Sequence, residues 1–160
     1  MGVKLARNRN TGYFVRCPLA GGEKQYTWSK TRHGKIDVKE VPQEVFDYLT
    51  LNSRCFDEGE LEIVEDEVEK LNELKDNLSD PESYEKNTHT SEDIEKLLKG
   101  NFMKMKGTLN SITSDAEKKF VIDVAQGIAS GLAKGKIDFL SEWMNVPSDI
   151  LFPPEDTDGE

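Results

Sequence analysis

Lys35-Ile36-Asp37-Val38-Lys39-Glu40-Val41-Pro42-Gln43-Glu44-Val45-Phe46-Asp47-Tyr48-Leu49 changes its period at a proline. Up to Val41, apolar and polar residues alternate, the two-residue repeat of a strand. The alternation predicts Ile36 and Val38 pointing inward. Beyond Pro42, the residues Val45, Phe46 and Leu49 recur at helical spacing. Proline fits the first turn of a helix, where its missing N–H costs nothing. A strand that runs straight into a helix makes this part of the chain mixed, neither all-β nor all-α.

Working toward the N-terminus, the residues read as short strands broken by turns. Val3-Lys4-Leu5 alternates, and Asn8-Arg9-Asn10-Thr11-Gly12 is rich in turn formers, so a hairpin into Tyr13-Phe14-Val15-Arg16-Cys17 is expected. Pro18 is expected to end that strand. Gly21-Gly22 permits positive φ and a further reversal. Gln25-Tyr26-Thr27-Trp28 is a third strand, with Tyr26 and Trp28 on one face. Working the other way, Asp57-Glu58-Gly59 turns the chain, and Leu61-Glu62-Ile63-Val64 reads as a closing strand. Residues 1–64 are therefore a small antiparallel β module with one short helix.

Residues 65–89 read as an acidic helix and linker. Val68, Leu71 and Leu78 form a narrow apolar stripe, Ser79-Asp80-Pro81 stops the helix, and residues 80–90 look extended. Residues 90–152 are a helical module. Thr90–Asp93 and Ser114–Glu117 fit a helix-start pattern. Apolar faces recur at Ile94, Leu97 and Leu98, then at Phe102, Met105, Leu109 and Ile112. They return at Phe120, Val121, Val124, Ala125 and Ile128, and at Ile137, Leu140, Trp143 and Met144. Gly100-Asn101 marks one stop, and Gly131 and Gly135 another. Residues 153–160 read as a disordered acidic tail. The fold class is α+β.

Hydrophobic residues make up 36 % of the 160. That permits a modest core. No apolar run approaches the ~20 residues that span a bilayer. The N-terminal residues carry no signal-peptide pattern, which favours intracellular synthesis. Net charge is −10, unevenly spread. Residues 1–56 hold ten Lys/Arg against five Asp/Glu, whereas residues 57–93 hold three against fifteen. Global acidity disfavours a nucleic-acid partner, since phosphates are repelled at long range.

A search for chemistry finds no catalytic set. Cys17 and Cys55 are far apart and read as small core residues. His33 falls in a turn and His89 in the expected linker, so a zinc site lacks ligands. The acidic run Asp57–Glu62 has its glycine third rather than sixth, so it does not fit a calcium loop. No catalytic, metal or cofactor-binding residue is assigned, and no enzyme is expected. Arg7, Arg9, Arg16, Lys24, Lys30, Arg32 and Lys35 lie near Tyr13, Phe14, Tyr26 and Trp28, a composition that can stack bases. Those aromatics are also the main supply of core for this module. The candidate partner contacts are four basic positions read as exposed, Arg7, Arg9, Lys30 and Arg32, with the stripe Val68, Leu71 and Leu78.

The order of segments carries a resemblance. An N-terminal Val-x-Leu strand pairs with later strands. Val41-Pro42-Gln43-Glu44-Val45, with Gly34 ahead of it, leads into a short helix and then the acidic strand Gly59-Glu60-Leu61-Glu62-Ile63-Val64. An acidic connector and Asn87-Thr88-His89-Thr90-Ser91-Glu92-Asp93-Ile94-Glu95-Lys96-Leu97-Leu98-Lys99-Gly100-Asn101-Phe102 follow. Over about residues 3–145 this resembles small virion-associated structural proteins of tailed bacteriophages. The resemblance implies an auxiliary capsid, head or neck component, made in the host cytoplasm and carried in the virion. Its partners would be other virion proteins in a symmetric multi-copy assembly, with no membrane and no cofactor. Two alternatives stand beside it: a regulatory or host-directed binding protein using the acidic face, and a nucleic-acid-binding adaptor using residues 1–64.

Overall fold

The computed structural model describes residues 2–31 and 35–153. The chain divides into two compact units, Met1–Thr90 and Ser91–Glu160. The first is an antiparallel β module with helices, and the second is helical, so the architecture is α+β as expected.

Unit 1 is organised around β1 (Gly2–Arg7). It lies between β4 (Asp37–Pro42) and β5 (Glu62–Val64), antiparallel to both, in the order β4-β1-β5. The expected hairpin with the following strand does not form. Both edges of β1 are taken by later strands, and residues 8–12 instead carry the chain to a second sheet. That sheet is the hairpin of β2 (Tyr13–Leu19) and β3 (Gly22–Trp28), with Val15 opposite Tyr26 and Tyr13 opposite Trp28. Gly22, at φ +120°, supplies the reversal. Pro18 does not end β2. Each strand of a two-stranded sheet has one free edge, where a missing N–H breaks no ladder.

Ile36 and Val38 do not point inward; they are 43 % and 41 % exposed. The register sets Val3 opposite Val41 and Leu5 opposite Lys39, so the odd-numbered residues of β4 share the inward face of β1. Val41 is fully buried, and its parity is opposite to that of Ile36 and Val38. A strand whose apolar residues split between both parities can bury only one set. Pro42 sits at the N-cap of α1 (Gln43–Asn52), which buries Val45, Phe46 and Leu49.

The acidic stretch belongs to unit 1. Helix α2 (Val68–Asp76) is shorter than the expected 65–80. The expected extended linker over 80–90 is instead helix α3 (Pro81–Asn87). Asp80 accepts hydrogen bonds from the Ser83 N–H (3.1 Å) and the Ser83 hydroxyl (2.7 Å), and Pro81 follows at the first helical position. The Ser-Asp-Pro read as a stop is also a start. Tyr84 is buried, its ring 6.2 Å from Phe56, which in turn stacks 5.4 Å from Phe46.

Unit 2 consists of α4 (Ser91–Lys99), α5 (Phe102–Ser111), α6 (Asp115–Gly127), α7 (Lys134–Met144) and α8 (Ser148–Leu151), with a 3-10 turn at Ala129–Gly131. Its core holds Ile94, Leu98, Met105, Leu109, Phe120, Val121, Ala125 and Leu140. Caps are local. Asn101 accepts from the Lys104 N–H at 3.0 Å, and Ser114 from the Glu117 N–H at 3.3 Å. Gly135 lies inside α7 and does not end a helix. Asn145, at φ +56°, closes α7. The expected disordered tail lies outside the described residues, apart from Pro153.

Candidate functional site

A dense polar cluster sits where β1 ends. The antiparallel register of Leu5 with Ile63 and Ala6 with Glu62, continued outward, brings residues 7–9 beside the 59–61 loop. Arg7 Nη1 donates to Glu60 Oε1 and to the Glu60 carbonyl, both at 2.8 Å. Its Nε and Nη2 donate to the carbonyl and Oγ1 of Thr11, also at 2.8 Å. Its guanidinium lies 5.3 Å from the centre of the Tyr13 ring. Arg9 Nη1 donates to the same Glu60 Oε1 at 2.8 Å, and its Nη2 to the Glu58 carbonyl. One carboxylate therefore joins two buried guanidiniums.

Helix α3 closes the cluster. Asn87 Nδ2 donates to the Asp57 carbonyl at 2.8 Å, and the Ile63 N–H donates to the Tyr84 hydroxyl at 2.9 Å. Gly59 adopts φ +71°, and a Cβ there would stand 1.7 Å from the Asn87 carbonyl oxygen. Only glycine meets both the backbone angle and the approach. Burial pushes the Tyr13 and Tyr84 hydroxyls well above their ordinary range and the Cys55 thiol up to about 12. These groups stay neutral and unreactive near pH 7. The hydrogen bonds of Arg7 all close on the chain itself, so the arrangement acts as a clamp holding the 57–60 loop to β1.

The seven candidate contact residues separate. Arg7 and Arg9, expected at the surface, are only 2 % and 4 % exposed and are joined through Glu60. A sequence reading finds charge there but not its buried partner, which is 53 and 51 residues away. Leu78 is buried in the unit 1 core, and Leu71 packs against it. Lys30 is exposed, and Val68 is 70 % exposed. Arg32, like His33, lies outside the described residues. Of the aromatics suited to stacking bases, Trp28 is fully buried with Nε1–H donating to the Leu5 carbonyl at 2.9 Å, while Phe14 stands out at 53 %. Cys17 and Cys55 are buried free thiols, as expected of core residues. Among the described residues no three His, Cys, Asp or Glu are grouped to hold a metal ion. No described helix is long and apolar enough to cross a membrane.

The sequence reading assigned Phe102 to the core and missed a surface in unit 2. Phe102 is 38 % exposed and Met103 72 %. Phe102 meets Phe139 edge to face at 6.1 Å, and Lys106 Nζ stands 5.4 Å and 5.8 Å from the two ring centres. The available signal was Phe102-Met103-Lys104-Met105-Lys106, whose apolar residues exceed what one helix face can bury.

Two family models divide the chain much as the fold does. The YonA N-terminal domain matches residues 1–80, and the YonA C-terminal domain matches residues 90–150. The chain belongs to the YonA family. The family name is phage-associated. No curated protein and no solved structure matches the chain significantly. The N-terminal match takes in β1 through α2, and the C-terminal match takes in α4 through α7.

Proposed function

We propose that the chain is a non-catalytic virion component, an auxiliary capsid, head or neck protein that acts by contact with other virion proteins. The observation that carries this reading is the placement of its chemically capable side chains. Arg7, Arg9, Tyr84, Cys17 and Cys55 are all buried in the framework of unit 1. What the surface offers instead is isolated apolar side chains amid charge, such as Val68 and Met103. The phage-associated family supports the setting. In this reading the protein is made in the host cytoplasm and ends in the particle, in multiple copies.

Mass spectrometry of purified particles from a phage encoding this chain tests the proposal. We expect peptides from both units at a constant ratio to the major capsid protein. Their absence from particles, with the protein abundant in infected lysate, would overturn it. That outcome would favour the host-directed reading, which draws its support from the exposed Asp66, Glu67 and Glu69. The adaptor reading loses support because Trp28, Arg7 and Arg9 turn inward.

A further inference from the structure

We propose that the α4–α5 corner of unit 2 is a docking surface for the acidic start of α2 on a second copy of this chain. The corner is locally basic in an acidic protein. From Lys96 to Ser114 there are four lysines and no carboxylate. A shallow groove of about 460 Å³ opens there, lined by Asp93, Lys96, Leu97, Gly100, Asn101 and Lys104. Met103, 72 % exposed, and Phe102 supply an apolar centre beside it.

The charge placement also runs against local helix preference. Helices α4 and α6 open with acidic residues, as the dipole favours. Helix α5 has no acidic residue in its first turn and places Lys104 and Lys106 near its positive end. Positive charge at a positive helix end is a local conflict, and an anionic partner relieves it.

Unit 1 carries the complementary face. Glu65, Asp66, Glu67 and Glu69 surround Val68, which is 70 % exposed. Each patch is an apolar centre with a charged rim, and the two rims have opposite sign. A polyanion is the poorer occupant, since Met103 and Phe102 would gain nothing from phosphate, whereas Val68 can cover them. Because the two patches differ, the contact is head to tail and propagates into a ring or an open array. The inference rests on the contact reading above but not on the virion assignment.

Sedimentation of the full chain at low and high salt tests it. We expect self-association at low salt that weakens as salt rises. The pair Lys104→Glu/Lys106→Glu should raise the dissociation constant at least ~10-fold, and Glu67→Lys/Glu69→Lys should do the same. Combining all four should recover most of the affinity, because the swapped charges pair again. Met103→Asp should weaken association without changing the circular dichroism. A chain that stays monomeric at low salt overturns the proposal, as does association indifferent to these reversals. Binding of DNA lost with Lys104→Glu/Lys106→Glu, with no self-association, overturns it in favour of nucleic acid. Particle mass spectrometry reads the virion assignment separately, so the two can fail independently.

Discussion

Unit 1 and unit 2 are held by interactions of different reach. In unit 1, β1 pairs with residues 37–42 and 62–64, and Arg7 finds Glu60 53 residues away. In unit 2, Asn101 caps its own helix at Lys104, Ser114 caps its own at Glu117, and α4 packs on α5 and α6. Unit 1 buries the guanidiniums of Arg7 and Arg9 on one shared carboxylate. Most of the core of unit 2 is aliphatic, with Phe120 and Met105 among it. The lesson is that a local fold tolerates loss piece by piece, whereas a fold closed by distant polar partners depends on each partner being present.

Trp28 lies in unit 1 and Trp143 in unit 2, so fluorescence of single-tryptophan variants follows each unit separately. Arg7→Ala should have the largest effect. It leaves the Glu60 carboxylate with Arg9 alone and removes the hydrogen bonds that tie Arg7 to Glu60 and Thr11, a loss of about 3 kcal/mol. Urea unfolding reported by Trp28 should shift strongly, while the Trp143 transition stays in place. Equal shifts in both would break the contrast between the units.

Tyr84→Phe comes next. The Ile63 N–H in β5 then loses its acceptor inside the core, at about 1–3 kcal/mol. The Trp28 transition should move. An unchanged transition would mean that α3 is not part of the unit 1 framework. Ser114→Ala removes a cap at a cost of about 1 kcal/mol, read by Trp143 alone.

Cys55 gives the smallest effect at neutral pH and sharpens the contrast only in base. Its thiol moves from 9.0 to about 12, chiefly by burial. The folded state therefore holds a proton that the unfolded state releases above pH 9.0. The stabilising contribution is complete below that pH and is lost as pH rises toward 12. Tyr13 and Tyr84, raised from 10.0, act in the same direction. The urea midpoint of unit 1 should fall between pH 8 and 10.5 (about the accessible range), that of unit 2 less so. At pH 8 native protein should resist iodoacetamide at Cys55 and react once unfolded.

The helices of unit 2 were legible because each is encoded over a few turns. The spacing of Phe120, Val121, Val124 and Ala125 after Ser114 states both a start and a buried face. Four features of unit 1 resisted reading for identifiable reasons. Residues 8–12 resemble a hairpin turn, but pairing depends on which strand arrives at β1. Ile36 and Val38 compete with Val41 for one face, and the register of β1 decides. Residues 80–90 look polar, yet Tyr84 and Asn87 are both buried and anchor them. Arg7 and Arg9 look like surface charge because their partner is far off in the chain. Of the corner proposed for docking, the lysines were visible in the sequence; the exposure of Phe102 was not.

Periodicity, caps and turn residues established by themselves that this chain is α+β, strands first and helices after, with both thiols in the core. Those features depend on neighbours within a turn or two. Tertiary structure alone decided which strand flanks β1, which parity of β4 is buried, and that Arg7 and Arg9 converge on Glu60. Each of these requires two segments dozens of residues apart to meet, and nothing in the order of residues states which of several compatible meetings has the lowest free energy.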